Sequence, residues 1–100
     1  MIIRVWVCRL KEGLEKAFEQ FAFNEALPIL RKTEGCVDAY VGIDSTSDQS
    51  TAVVVSIWRD LDAIKSFTGG NWREPYVHPL EAPLLAEKPR VSHFNVVGKL

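Results

Sequence analysis

Residues Thr51 to Gly70, TAVVVSIWRDLDAIKSFTGG, join a strand pattern directly to a helix pattern, and they decide the fold. The apolar run from Ala52 to Ile57 is rich in β-branched residues, which predicts a buried strand ending at Trp58. Asp60 occupies the position of a helix N-cap, and Gly69-Gly70 are typical helix terminators. Between them an apolar side chain recurs at every third position, namely Leu61, Ile64 and Phe67. The centre of the chain is therefore predicted to be a buried strand that leads into a short helix.

The other strands and helices are predicted from the same two periodicities. In chain order the predicted elements are strand Ile2 to Arg9, helix Lys11 to Thr33, strand Cys36 to Asp44, strand Thr51 to Trp58, helix Asp60 to Thr68, a short helix from Pro79 to about Ala86, and strand Arg90 to Val97. Ser45 to Ser50 is a polar connection, so we expect the second and third strands to pair as an antiparallel hairpin.

The first predicted helix carries two apolar stripes that lie on different sides. The first stripe is Leu14, Ala17, Phe18, Phe21 and Ala22, and the second is Phe23, Leu27 and Leu30. Pro28 removes a helix hydrogen bond and crowds the carbonyl four residues back, so we expect a kink or break between Asn24 and Leu27. Two outcomes stay open: the second stripe faces a partner subunit or a cavity, or the kink folds it back onto the same core.

The element order β-α-β-β-α-β predicts an α+β protein of ferredoxin-like topology. We expect a single domain over residues 1–100, in which two helices cover one face of a four-stranded antiparallel sheet. The uncovered face is not polar, because strand 1 would expose Ile2 and Trp6 and the third strand is apolar at nearly every position. An apolar face of that size promotes aggregation unless something covers it. We therefore expect a homodimer with sheet packed against sheet.

Composition and charge argue against several classes of protein. The chain has 100 residues, 47% of them hydrophobic, which fits one globular domain. Its 12 basic and 13 acidic residues are interspersed without a basic stripe, so we do not expect nucleic acid as a partner. The apolar runs have the length of strands, and the N-terminal MIIRVWVCRL lacks a cleavage-site pattern, so we expect a cytoplasmic protein with no membrane segment. In that compartment Cys8 and Cys36 are expected to be reduced core thiols, the alternative being a reactive nucleophile or a redox pair.

Four segments of the chain resemble antibiotic biosynthesis monooxygenase-like domains of the dimeric α+β barrel superfamily. They are MIIRVW at the start, EGCVDAYV after the first helix, SIWRDLDAIKSFTGG at the centre and RVSHFNVV at the end. The most specific part is Ser56-Ile57-Trp58 together with Ala63-Ile64 and Phe67 to Gly69. The resemblance implies a subunit that dimerises into a barrel and has a pocket between its sheet and its helices. It also implies oxygenation of small aromatic compounds, of the phenol or quinone type, without metal or flavin, so that no cofactor is expected.

Such a reaction needs a dry pocket, a group that deprotonates the substrate, and donors for the resulting anion. The candidate catalytic residues are His78, in an aromatic segment, and His93, in the last strand; the alternatives are a loop histidine and a hydrogen-bonded core or interface residue. The candidate substrate-binding residues are Tyr40, Trp58, Phe67, Asn71, Trp72 and Tyr76. Trp58 and Phe67 also fit a purely structural role, and the segment after Gly69-Gly70 is either a moving lid or a packed surface loop.

Arg4 and Asp38 are expected to form an ion pair at an interface or in the interior. No metal site is predicted, because His78 and Glu81, three residues apart, would leave a zinc or iron site incomplete. Haem-degrading relatives carry an asparagine on strand 1 and a tryptophan in the second helix, positions where this chain has Val5 to Val7 and Phe67, so haem degradation is not expected. Two further functions remain alternatives, a non-catalytic small-ligand-binding or stress-related protein and a lactone-isomerase-like enzyme.

Overall fold

Four strands form one antiparallel sheet, and the helices pack on one side of it. In the computed structural model, which describes residues 1–44, 46 and 48–100, the strands are β1 (Ile2–Arg9), β2 (Cys36–Asp44), β3 (Thr51–Trp58) and β4 (Arg90–Asn95). Their order in the sheet is β2-β3-β1-β4. The helices are α1 (Glu15–Phe21), a π-helical turn (Ala22–Ala26), α2 (Leu27–Lys32), α3 (Leu61–Thr68) and a 3₁₀ turn (Ala82–Leu84). This arrangement confirms the predicted ferredoxin-like α+β fold.

The central stretch has the predicted structure. The Asp60 carboxylate accepts a hydrogen bond from the backbone N–H of Ala63 at 2.9 Å and so caps α3. Gly69 ends that helix in the left-handed conformation, with φ at 76°. Several predicted bounds differ, and the largest differences are that the first helix begins at Glu15, the short helix is reduced to the 3₁₀ turn, and β4 ends at Asn95. In the predicted polar connection between β2 and β3, positions 45 and 47 lie outside the described residues.

The expected kink in the first helix is present as the π-helical turn between α1 and α2. Pro28 lies in the first turn of α2, where its missing N–H is tolerated because the turn before it has already changed its hydrogen-bond pattern. The residues of the second stripe do not share one environment, and contact of this stripe with a partner subunit stays a prediction. Leu30 folds back into the core and is 7% exposed, whereas Phe23 points outward and is 76% exposed.

The face of β1 that packs under the helices is the opposite of the one predicted. Trp6 and Cys8 are buried, and the Trp6 ring stacks on Phe18 of α1 with 6.1 Å between ring centroids. Ile2 also packs toward the core rather than on the uncovered side of the sheet. The prediction was wrong because β1 is apolar on both sides, so alternation sorts its residues into two sets without showing which set the helices cover.

The open face of the sheet is nevertheless apolar, with a different set of residues. Val5 pairs with Val55 of β3 and with Ser92 of β4, and paired residues share a face. The apolar members of this face are Ile3, Val5, Val7, Val53, Val55, Ile57, Tyr40 and Phe94. Tyr40 and Phe94 are more than half exposed. We refer to this surface below as the open face.

Two groups of buried side chains fill the space between sheet and helices. One surrounds Trp6 and Phe18, and the other surrounds Trp58 and Ile64. The two cysteines do not pair with each other; Cys8 is fully buried and Cys36 is partly exposed. Among the residues that the structure describes, none of the helices has the length and apolar character needed to cross a membrane.

Candidate functional site

A cavity of about 70 Å³ lies between the sheet and the helices, where the two buried groups meet. Its lining residues come from β1, β3, all three helices and the segment after α3: Arg4, Trp6, Phe21, Ala26, Ile29, Leu30, Val54, Ser56, Phe67, Tyr76, His78 and Glu81. Most of this surface is apolar, which is typical of ligand pockets that place a few polar groups in dry surroundings. Ile29 and Tyr76 are the most exposed of these lining residues, so we take the side of the cavity that they form as its mouth.

Glu81 is a buried carboxyl group in the wall of this cavity. It is 6% exposed, and its Oε1 accepts the backbone N–H of His78 at 3.3 Å. Burial raises the pKa of Glu81 to about 7, and the hydrogen bond from His78 opposes that rise only in part. A carboxyl group with this pKa exchanges a proton near neutrality, which is the property that a general base or acid needs.

His78 lines the same cavity, but its hydrogen bonds do not favour the role of base. The backbone N–H of Leu80 donates to its Nδ1 at 3.0 Å, and the ring packs on Phe21 with 5.4 Å between centroids. Since Nδ1 accepts, it carries no proton, so Nε2 is the ring nitrogen that carries one. Neither nitrogen then has a free lone pair for a proton from a substrate. His78 is therefore placed to donate a hydrogen bond, and Glu81 is the better base.

Trp6 contributes a hydrogen-bond donor that has no acceptor. Its indole Nε1–H is buried and, within the described part of the chain, lacks any partner. A buried donor left without an acceptor costs about 1–3 kcal/mol, so native structures rarely contain one without a functional reason. Because Trp6 lines the cavity, an acceptor atom on a ligand would satisfy this group.

Arg4 lies on β1 and is held by two acceptors that carry no charge. Its Nη1 donates to the carbonyl oxygen of Trp72 at 2.9 Å and to Nε2 of His93 at 2.7 Å. Burial lowers the pKa of His93, and the nearby charge of Arg4 lowers it further, which keeps the ring neutral and able to accept. The Trp72 ring meets the His93 ring edge-on, with 4.9 Å between centroids. The two residues thus fix the position of the guanidinium group.

The predicted ion pair between Arg4 and Asp38 is wrong. Asp38 pairs with Ile57 of β3 and so lies on the open face, where its carboxylate accepts a hydrogen bond from the Tyr40 hydroxyl at 3.1 Å. Arg4 pairs with Ser56 and lies on the covered face. The two charged groups therefore lie on opposite sides of the sheet. Alternation along a strand shows which of its residues share a side, but it does not show which residues of another strand share that side.

The sequence-predicted residues divide into three groups. Phe67, Tyr76 and His78 line the cavity, and Trp72 and His93 support it through Arg4. Trp58 is fully buried in the core and donates its Nε1–H to the Ser56 hydroxyl at 2.8 Å. Asn71 is exposed beside the cavity segment, and Tyr40 is on the open face, away from the cavity.

Among the lining residues that were not predicted as site residues, Arg4, Trp6 and Glu81 carry the charged or unpaired polar groups. One signal for Glu81 was available, because it is the only charged residue in the otherwise apolar run PLEAPLLA from Pro79 to Ala86. A lone carboxylate in such a run is a candidate for burial. Within residues 1–44, 46 and 48–100 there is no cluster of His, Cys, Asp and Glu that could hold a metal ion.

The family model for antibiotic biosynthesis monooxygenases matches residues 1–71. The chain belongs to the antibiotic biosynthesis monooxygenase family. The matched part contains Arg4 and Trp6 but ends before Tyr76, His78 and Glu81, so the segment that completes the cavity lies outside it. No curated protein matches the chain.

Solved structures of provisionally assigned antibiotic biosynthesis monooxygenases have the same fold. One from Bordetella bronchiseptica is 24% identical with a TM-score of 0.69, and the alignment covers 96% of both chains. One from Nitrosomonas europaea is 12% identical with a TM-score of 0.75, covering 98% of this chain and all of the other. One from Caulobacter crescentus is 16% identical with a TM-score of 0.71, covering 97% of this chain and 90% of the other. At these identities the likeness establishes the fold and leaves the reaction to be argued from the site.

Proposed function

We propose that this family member is a monooxygenase that needs no cofactor and acts on a small aromatic compound of the phenol or quinone type. The observation that carries the proposal is the pairing of two groups in one apolar cavity. These are the buried Glu81 carboxyl, with a pKa of about 7, and the buried Trp6 N–H without an acceptor. The first can take a proton from a substrate, and the second can hold the oxygen on which negative charge develops.

In the proposed reaction Glu81 removes the proton of a phenolic hydroxyl, and a ring carbon of the resulting anion forms a bond to O₂, whose outer oxygen takes up a proton. The C–H bond at that carbon and the O–O bond then break. The inner oxygen remains on the ring carbon as a carbonyl, and the outer oxygen leaves with the released proton as water. For a hydroquinone the balance is one hydroquinone and one O₂ giving one hydroxyquinone and one water. The electrons that reduce O₂ come from the substrate, so the reaction requires neither a flavin nor a metal ion.

The size of the cavity limits the substrate. At about 70 Å³ it is roughly half the volume of an apolar cavity known to enclose benzene, about 150 Å³. A substrate with one aromatic ring would therefore also occupy the mouth between Ile29 and Tyr76. The rings of Phe67 and Tyr76, 5.8 Å apart at their centroids, offer aromatic surfaces for that contact.

Oxygen consumption by wild type and Glu81→Gln tests the proposal directly. A panel of hydroquinones and phenols is offered in air and under argon, and oxygen uptake and product are recorded. We expect kcat/KM to fall by about 10²–10⁴-fold in Glu81→Gln, the usual contribution of a general base. Glu87→Gln is the matched control, because Glu87 is a carboxylate outside the cavity that pairs with Arg9 at the surface. Conversion under argon would instead indicate an isomerase, and binding without any conversion would indicate a ligand-binding protein.

We also propose that two copies of the chain pack together through the open face. The support is its composition: eight apolar side chains contributed by all four strands, continuous across the sheet. Monomeric proteins seldom leave a contiguous apolar patch of that kind in water, and a two-fold pairing would bury it.

Sedimentation of Val55→Asp tests the dimer. Val55 is at the centre of the open face, between Val5 and Tyr40, so a carboxylate there would be buried in the interface without a partner. We expect wild type to sediment as a dimer at micromolar concentration and the variant as a monomer. Val97→Asp, at a position 99% exposed, is the control and should remain dimeric. A monomeric wild type would overturn this proposal.

A further inference from the structure

Arg4 is a buried cation that the protein itself does not neutralise. Its side chain belongs to a residue only 4% exposed, and it forms no ion pair with any described carboxylate. Its hydrogen-bond partners, the Trp72 carbonyl and the neutral His93 ring, leave the positive charge in place. Burying a charge without a counter-ion is costly, so such a group indicates a missing anion.

The guanidinium group also has donors to spare. Both contacts use Nη1, whose two hydrogens they occupy, while Nε and Nη2 together carry three N–H groups with no protein acceptor in the described part of the chain. Arg4 lines the cavity, so these donors border the space that a ligand would fill. Nε and Nη2 form the fork that binds the two oxygens of a carboxylate side by side.

Glu81 does not fill this role, although it lines the same cavity. It forms no ion pair with Arg4 within 4.0 Å, and its Oε1 is engaged by the backbone N–H of His78. Its burial and its raised pKa show that the carboxyl is not stabilised as an anion by Arg4. The cavity therefore contains one position for a proton acceptor and a separate position for a negative charge.

We propose that Arg4 binds a carboxylate of the ligand and that the substrate of this cavity is a small aromatic acid. The inference deepens the proposed function and rests on it, because the ligand is taken to be the compound that Glu81 deprotonates. The guanidinium group of Arg4 is already buried before the reaction begins. A phenolate forms only after Glu81 has removed a proton, so it cannot be the anion that neutralises Arg4 when the substrate binds. The neutral Trp6 N–H suits an oxygen that becomes charged only later, whereas Arg4 suits a charge that the ligand brings with it.

Trp72 and His93 act as positioning residues for this site. By holding Nη1 they fix the guanidinium group of a residue that lines the cavity, and His93 does so only while its Nε2 is unprotonated. Neither residue lines the cavity, so both would act on a ligand through Arg4 and not by direct contact.

Binding of benzoate and benzamide to the full chain tests the inference. The two probes have the same ring and nearly the same shape, and only benzoate is charged. Calorimetric titrations are run under argon at about pH 6.5, where Glu81 is mainly protonated and repels an anion least. We expect wild type to bind benzoate at least about tenfold more tightly than benzamide.

Substitutions at Arg4 then locate the effect. Arg4→Met, which removes the charge and keeps much of the length, should abolish the preference for benzoate, and Arg4→Lys should retain part of it. Arg9→Met is the matched control, because Arg9 lies on the same strand and pairs with Glu87 at the surface. Its preference for benzoate should equal that of wild type. Thermal unfolding confirms that each variant is folded, and the comparison of the two probes on wild type does not depend on any variant.

The outcomes separate this inference from the proposed function. Equal affinity of wild type for the two probes, no binding of benzoate, or a preference that survives Arg4→Met in a folded protein would each overturn the anion site. Because these titrations involve no turnover, they are independent of the oxygen assay. Arg4-dependent benzoate binding combined with no oxygenation of any hydroxybenzoate would overturn the proposed function and leave the anion site standing.

Discussion

Replacing Glu81 with glutamine should stabilise the protein above neutral pH, although the residue lines the candidate site. The carboxyl ordinarily titrates near 4.5, and burial moves its pKa to about 7 in the folded state. Each unit of that difference corresponds to about 1.4 kcal/mol, so the folded state is penalised by about 3 kcal/mol once the group is ionised.

The direction of the effect with pH follows from which state releases its proton first. Below about pH 4.5 the carboxyl is protonated in both states, and its burial has no ionisation cost. As the pH rises from about 4.5 to about 7, the unfolded chain loses the proton while the folded protein keeps it, so the free energy of unfolding falls. Above about pH 7 the carboxyl is ionised in both states, and the free energy of unfolding falls no further on account of Glu81. Glu81→Gln keeps an acceptor for the His78 N–H and has nothing to titrate.

Urea unfolding of both proteins at equal concentration, from about pH 4 to about pH 8.5, measures this difference. We expect wild type and Glu81→Gln to be similar at the acid end and the variant to be about 3 kcal/mol more stable at the alkaline end. Glu87→Gln is the control, and its effect on the free energy of unfolding should depend on pH in the opposite direction. Hydrogen bonding to Arg9 lowers the pKa of Glu87, so Glu87 stabilises the folded state at higher pH and loses this effect as the pH falls through the acid range. A difference between wild type and Glu81→Gln that does not vary with pH would refute the assignment of a raised pKa to this carboxyl.

Two further predictions concern the support of the site and the packing of α3. The pKa of His93, followed by NMR of its ring protons, should lie below 6.5, because burial and then the charge of Arg4 disfavour the protonated ring. Arg4→Met should raise this pKa. An unchanged pKa in the variant would contradict the Arg4 contact. Gly35→Ala should cost more than Gly13→Ala in urea unfolding, on the order of 2–4 against about 1 kcal/mol. Both glycines have positive φ, but only a Cβ at Gly35 would collide with the Ala63 side chain of α3; equal losses would show that α3 does not approach Gly35 closely.

Local patterns in the sequence were enough to predict most of the fold. The strand and cap at Trp58 and Asp60, the stop at Gly69 and the kink before Pro28 are consequences of side-chain and backbone preferences within a few residues. The β-α-β-β-α-β order then restricts the topology to very few arrangements. Of the predicted site residues in the segment after α3, Tyr76 and His78 lie in the wall of the cavity, and their part in a reaction stays a prediction.

The sequence by itself determined the order of the four strands and the main helices, and that both sides of the sheet are apolar. Only the tertiary structure decided which side of β1 the helices cover, and with it the burial of Trp6 and Arg4. It also decided that Glu81 titrates near neutrality. The physical reason is that alternation with a period of two sorts residues into faces without choosing between two apolar ones. Burial and pKa depend on contacts between distant parts of the chain, such as those of Arg4 with Trp72 and His93, which lie 68 and 89 positions away.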